Sequence, residues 1–156
     1  MILNEQGLSI IKDFEGLVDG DPDTPGLDPY LDPVGIPTIG WGSIWGSDGR
    51  RVTMDHPPIS KNEAERLLAR EVRHTERYVA RLLKVPVTSN QFSALVSLTY
   101  NIGSGNLQAS TLLRLLNRNQ VNKAADEFPK WRRAGGRILL GLVRRRAVER
   151  QLFLTP

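Results

Sequence analysis

The sequence predicts an α+β fold whose helical and β-rich parts are segregated along the chain. Three observations carry this. The start is a short stretch with helical periodicity, residues 17–59 are punctuated by Gly and Pro, and from about residue 60 onward helical periodicity dominates. With 156 residues, 40% hydrophobic and 24% charged, the chain can build one domain, or two small lobes sharing a core. That composition excludes disordered and fibrous classes. The absence of cysteine excludes a disulfide scaffold, a thiol nucleophile and Cys-ligated metals.

Asn4 is placed to cap a helix over 4–14, with Leu8, Ile11 and Phe14 at helical spacing and Gly16 ending it. Within 15–59, Ile36-Pro37-Thr38-Ile39 and Arg50-Arg51-Val52-Thr53 favour strands and Ser47-Asp48-Gly49 favours a turn. These predict a small antiparallel sheet with long loops. Ser60-Lys61-Asn62-Glu63 reads as a capping box opening a helix over 60–84, in which Ala64, Leu67, Leu68, Val72, Val79 and Leu82 repeat at helical spacing until Pro86. In the remaining 85–156, Thr88-Ser89-Asn90-Gln91 is a second capping box, for a helix to about Asn101. Shorter helices are expected over 109–117, 120–128 and 129–134, and an Arg-rich one over 142–153.

The net charge of +4 conceals an asymmetry. Residues 1–32 hold eight acids against Lys12, and residues 130–150 hold eight bases against Glu149. Such a tail reads as a solvated basic face that invites an anionic partner: nucleic acid, an acidic membrane or a wall polymer. The longest apolar run, Ile138-Leu139-Leu140 with Leu142-Val143 after Gly141, is far short of the roughly 18 residues of a membrane span, so no stable membrane insertion is expected. Met1 to Gln6 lack a basic region followed by an apolar stretch, and no secretory signal is expected there.

Glu15 is the most informative acid. At the C-terminal end of the first helix the macrodipole disfavours a carboxylate, and with Phe14 and Leu17 beside it the protonated form needed by a general acid is favoured. A glutamate near a helix end is also structurally ordinary. Asp32, in the turn Tyr30-Leu31-Asp32-Pro33-Val34-Gly35, and Thr38, in the strand before Gly40-Trp41-Gly42, could together orient a water; the plainer reading is a turn cap and a β-former. Trp41, Trp45 and Trp131 could stack on sugar or base faces, or pack in a core. Asp19, Asp21 and Asp23 imitate the opening of a calcium loop, but Pro22 interrupts it and Thr24 and Tyr30 stand where Gly and Glu are required. His56 and His74 have no metal-like spacing, and no phosphate loop or dinucleotide fingerprint occurs. Neither metal nor cofactor is expected.

Four segments together resemble the phage-type lysozymes, the endolysins of glycoside hydrolase family 24. They are Phe14-Glu15-Gly16; Tyr30 through Gly42; Gln91 through Gly103 with Ser110-Thr111-Leu112-Leu113; and Trp131-Arg132 through Gly135-Gly136-Arg137 to Gly141-Leu142-Val143-Arg144-Arg145-Arg146. The resemblance implies a two-lobed lysozyme-like fold: a single domain over 1–156 with a β-rich lobe at 15–59, a connecting helix at 60–84, a helical lobe at 85–156 with helix 4–14 beside it, and a substrate cleft between the lobes. It implies hydrolysis of the β-1,4 bond between N-acetylmuramic acid and N-acetylglucosamine of peptidoglycan. Glu15 would be the general acid, Asp32 and Thr38 would hold the attacking water, and Tyr30, Trp41 and Asn101 would contact the glycan. The Asp-rich segment 18–29 reads as an insertion relative to common members, and Ser43 stands where many relatives have His.

A monomer acting on peptidoglycan strands follows as the expectation, held in the host cytoplasm until a holin releases it. Two other readings compete: lytic transglycosylation, which needs one acid and no held water, and a non-enzymatic nucleic-acid-binding module, for which the basic tail speaks but no docking motif does. Asp32 and Thr38 favour water attack, and no nucleic-acid partner is expected.

Overall fold

The computed structural model describes all 156 residues, Met1–Pro156. Its elements in order are α1 (Glu5–Glu15), β1 (Tyr30–Leu31), β2 (Pro37–Thr38), α2 (Lys61–Leu82), α3 (Ser89–Ile102), α4 (Ser104–Gln108), α5 (Thr111–Leu116), α6 (Val121–Ala125), a 3-10 turn (Phe128–Lys130), β3 (Arg133–Ala134), β4 (Arg137–Ile138) and α7 (Leu140–Leu154). The class is α+β, with two separate two-stranded antiparallel sheets. The chain divides into two compact units, Glu15–Glu71 and Met1–Phe14 with Val72–Pro156. The boundary thus falls inside α2 and not at either of its ends. No helix is long and apolar enough to cross a membrane.

The helical unit is centred on α3. Phe92 through Thr99 are all buried, so α3 is enclosed on every side, as its apolar sequence demands. Its start follows the capping box: Thr88 Oγ1 accepts from the Gln91 amide at 3.1 Å, and Gln91 Oε1 accepts from the Thr88 amide at 2.9 Å. Asn4 caps α1 by accepting from the Gly7 amide at 3.0 Å, and its own amide donates to Ser93 Oγ at 2.9 Å. The small buried serines of α3 thus receive polar groups from elements distant in sequence. Packing of α7 along α3 completes the core, with Phe153 against Phe128 at 5.2 Å between ring centroids.

The Glu15–Glu71 unit has little regular structure and a small core of Ile39, Trp41, Val52, Ile59, Leu67 and Leu68. Ser60 caps α2 through the Glu63 amide at 3.1 Å, while the Glu63 carboxylate accepts from Ser47 Oγ at 2.8 Å. Its loops are held by side chains: Arg70 donates to the carbonyls of Trp45 and Gly46, both at 2.8 Å.

Three expectations are corrected. The piece at Arg50–Thr53 forms no strand; only Trp45 and Arg51 make an isolated bridge, because Val52 is its one buried residue and a single inward side chain is too little to hold a longer ladder. The helix expected over 129–134 is instead the 3-10 turn followed by β3, since Gly135-Gly136 supplies a hairpin turn. The segment 109–117 contains only α5, capped by Ser110 Oγ on the Leu113 amide at 3.1 Å, with the separate short α4 before it.

Candidate active site

Glu15 is the last residue of α1 and is half-buried. The helix stops because Gly16 adopts φ +75°, a conformation open to glycine and strained for other residues. Glu15 therefore occupies a fixed helix end.

Asp32 and Thr38 are positioned by the β1–β2 hairpin. Tyr30 pairs with Thr38 and Leu31 with Pro37, while the Asp32 amide donates to the Ile36 carbonyl at 3.0 Å. With a side-chain period of two, Tyr30, Asp32 and Thr38 share one face of the hairpin. The Asp32 carboxylate is anchored through Oδ1, which accepts from the amides of Val34 at 2.9 Å and Ile36 at 2.8 Å. Oδ2 is left as an acceptor. Thr38, 3% exposed, donates its hydroxyl proton to the Ile36 carbonyl at 2.8 Å, so its oxygen is likewise available to accept. One side of this face is thus a pair of acceptors on a rigid turn.

Tyr30 donates its hydroxyl to the Gly40 carbonyl at 3.1 Å. Burial pushes its pKa up, the charges of Glu15 and Asp32 push it further the same way, and a backbone hydrogen bond at Gly42 opposes them. The phenol thus stays protonated and feels both carboxylates. Its link to both was not visible in the sequence, although Tyr30, two residues before Asp32 in an extended segment, had to share its face.

The other predicted glycan contacts separate. Trp41 is 5% exposed, so its ring is packed and offers no open face to a sugar; the exposed indole of this unit is Trp45, which carries Arg51 at 5.3 Å from its ring centroid. Asn101 belongs to the helical unit and is exposed, with Oδ1 accepting from Arg146 at 2.9 Å.

The basic tail departs most from expectation. Arg145 and Arg146 are not a solvated face; both are buried, with Glu149 between them. Glu149 Oε1 accepts from Ser97 Oγ at 2.7 Å, Arg145 Nε at 3.0 Å and Arg146 at 3.2 Å, and Oε2 lies 2.8 Å from Arg146 Nε. Burial pushes the Glu149 carboxyl up, against the pull of Arg146, Arg145 and the Ser97 hydroxyl. Every group facing it is a donor, as a carboxylate requires. Arg145 also donates to the Ser97 carbonyl at 3.0 Å and lies 5.9 Å from the centre of the Phe14 ring. The sequence did carry a hint, since Glu149 is the one acid in 130–150 and stands at i+4 and i+3 from these arginines.

In the segment 18–29 the acids serve their own loop. Asp19 Oδ1 accepts from the amides of Asp21 and Asp28, both at 3.0 Å, and Asp21 Oδ1 from Asp23 at 3.2 Å. The bonds from Asp21 and Asp23 are Asx turns, and the one from Asp28 closes the loop.

Residues 12–149 match the family described as Phage lysozyme. The chain belongs to that family. The endolysin of Bacillus phage B103 is 44% identical, over 99% of this chain and 55% of that protein, so this phage lysozyme chain spans about half the length of that relative. The endolysin of Salmonella phage P22 is 36% identical over 99% of both. Among solved structures, an endolysin from Escherichia coli O157:H7 phage FAHEc1 is similar with a TM-score of 0.85 and 37% identity, covering 99% of this chain and 94% of that one.

Proposed function

We propose that this phage lysozyme is a muramidase of host lysis, hydrolysing the β-1,4 bond between N-acetylmuramic acid and N-acetylglucosamine of peptidoglycan. The observation that carries the reading is the shared hairpin face of Tyr30, Asp32 and Thr38, with the charges of both Glu15 and Asp32 felt at the Tyr30 phenol. Two carboxylates and a water suffice for an inverting glycosidase.

Glu15 donates its proton to the glycosidic oxygen as the bond from the anomeric carbon to that oxygen breaks. A water held by Asp32 Oδ2 and Thr38 Oγ1 directs its lone pair at the anomeric carbon and bonds to it, and its proton passes to Asp32. Because the backbone amides of Val34 and Ile36 fix the Asp32 carboxylate, little reorganisation is needed. Attack from the far face inverts the anomeric centre, so the first product is the α-anomer. Tyr30 and Asn101 contact the glycan, and Trp41 contributes by packing. The protein works as a monomer without metal or cofactor, and waits in the host cytoplasm for a holin to release it.

The test follows the clearing of purified peptidoglycan and the proton NMR of the fresh reducing ends. Glu15→Gln keeps its fold and loses activity by about 10²–10⁴-fold, and wild type yields the α-anomer first. A folded Glu15→Gln that retains most activity overturns the assignment. A 1,6-anhydro end would make the enzyme a transglycosylase and leave Asp32 and Thr38 without their role.

A further inference from the structure

From Phe128 to Val148 there is no Asp or Glu. Within that stretch Lys130 pairs with Glu127, and Arg145 and Arg146 pair with Glu149. Arg132, Arg133, Arg137 and Arg144 are exposed and have no carboxylate partner. Three of these four lie on the β3–β4 hairpin, closed by Gly135-Gly136 at φ +56° and +77° and by the Leu139 amide on the Arg132 carbonyl at 3.0 Å. Its register sets Arg133 beside Ile138 on one face and Ala134 beside Arg137 on the other, and every residue from 132 to 141 is exposed.

The same segment exposes aliphatic side chains: Ile138 at 49%, Leu139 at 44%, Leu140 at 62% and, in the first turn of α7, Val143 at 38%. A hairpin with two residues per strand stabilises itself only marginally. These side chains contribute little to the core, so fold stability does not account for them.

We propose that the β3–β4 hairpin and the first turn of α7 form a docking surface for an anionic lipid bilayer, on which the protein rests peripherally. Unpaired arginines complement acidic headgroups. The adjoining aliphatic side chains fit the boundary between headgroups and acyl chains, whereas a phosphate polymer of the wall would make no use of them. The proposal is independent of the glycan chemistry.

The test is sedimentation of the full chain with vesicles of phosphatidylglycerol and phosphatidylethanolamine, beside vesicles of phosphatidylcholine and soluble poly(glycerol phosphate). The chain is expected on the anionic vesicles only. At about fivefold per arginine, the combined Arg132→Gln, Arg133→Gln and Arg137→Gln variant should bind about 100-fold more weakly. Ile138→Ser with Leu140→Ser should weaken binding at least about tenfold. Both variants should keep the wild-type circular dichroism spectrum and the wild-type rate on purified peptidoglycan. Failure to bind anionic vesicles overturns the proposal. So does wild-type vesicle binding by the serine variant with equal affinity for poly(glycerol phosphate), which would make this a polyanion site, or loss of peptidoglycan cleavage by either folded variant, which would make it part of the glycan site.

Discussion

Asp21 is exposed and Asp19 and Asp28 are half-buried, with Asp19 and Asp21 bonding amides of their own loop, whereas Arg145 and Arg146 surrender solvent altogether and close on Glu149 inside the helical unit. Both regions are dense in one sign of charge, yet their energetics differ. In the loop Asp19 and Asp21 gain local amides and Asp28 accepts from the Thr24 hydroxyl at 2.8 Å, each carboxylate keeping part of its hydration, so losing one contact costs little. In the helix three charges have left water together, and the Glu149 carboxylate is tolerable there only because guanidiniums face it.

Removing Glu149 breaks that comparison most severely. Glu149→Gln takes the carboxylate away from two buried guanidiniums and should cost about 3–5 kcal/mol, seen as a fall of about 6–20 °C in Tm by calorimetry. A combined Glu149→Met and Arg146→Met replacement should recover part of the loss, since it removes charges in opposition. A Glu149→Gln Tm within about 2 °C of wild type would mean the cluster is already neutral or wet.

Asp19→Ala should lie well below this, at about 1 kcal/mol by urea unfolding, because it frees two amides that water can reach. A loss as large as that of Glu149→Gln would mean the loop holds its whole unit together.

Arg150 sharpens the contrast within one helix. Its bond to Asp126 at 2.8 Å is solvent-exposed, so Arg150→Gln should cost less than about 1 kcal/mol. Raising salt toward 1 M should erase even that difference while leaving the Glu149→Gln deficit in place. A deficit for both that falls equally with salt would contradict the burial of the triad.

The smallest effect is a titration. Tyr30 has a raised pKa in the folded chain, so above the ordinary tyrosine value of about 10 the unfolded state releases its proton first. Stability should therefore fall as pH rises from about 10 toward the folded pKa, and Tyr30→Phe should remove that slope, as followed by unfolding at each pH. An unchanged slope would place the alkaline sensitivity elsewhere.

What could be read beforehand was local. Caps are short-range hydrogen bonds, so Asn4, Ser60 and Thr88 announced the starts of α1, α2 and α3. The turn at Asp32 was similarly visible, because Pro33 and Gly35 restrict the backbone whatever surrounds them. Burial was not legible: Arg145 is inside because α7 lies along α3 and the Ser97 carbonyl awaits it, a match between residues 48 positions apart. Trp41 gave the same false impression, since an indole suits a core as well as a sugar. The β3–β4 hairpin escaped because two-residue strands carry no alternation to detect.

The position of α3 also has a consequence for how the protein is made. Ser93 accepts from the amide of Asn4, Ser97 donates to the Glu149 carboxylate, and Asn90 donates to the carbonyl of Thr155. One helix thus ties a residue made early to residues made much later. At roughly 5–20 residues per second, about 8–30 seconds separate the synthesis of Asn4 from that of Thr155. The contiguous Glu15–Glu71 unit has all its own contacts available long before then. The nascent chain should therefore carry a β-rich part able to form early and a helical core left open until α7 has been made, so a ribosome stalled before α7 would display α3 as an exposed apolar helix to chaperones and proteases.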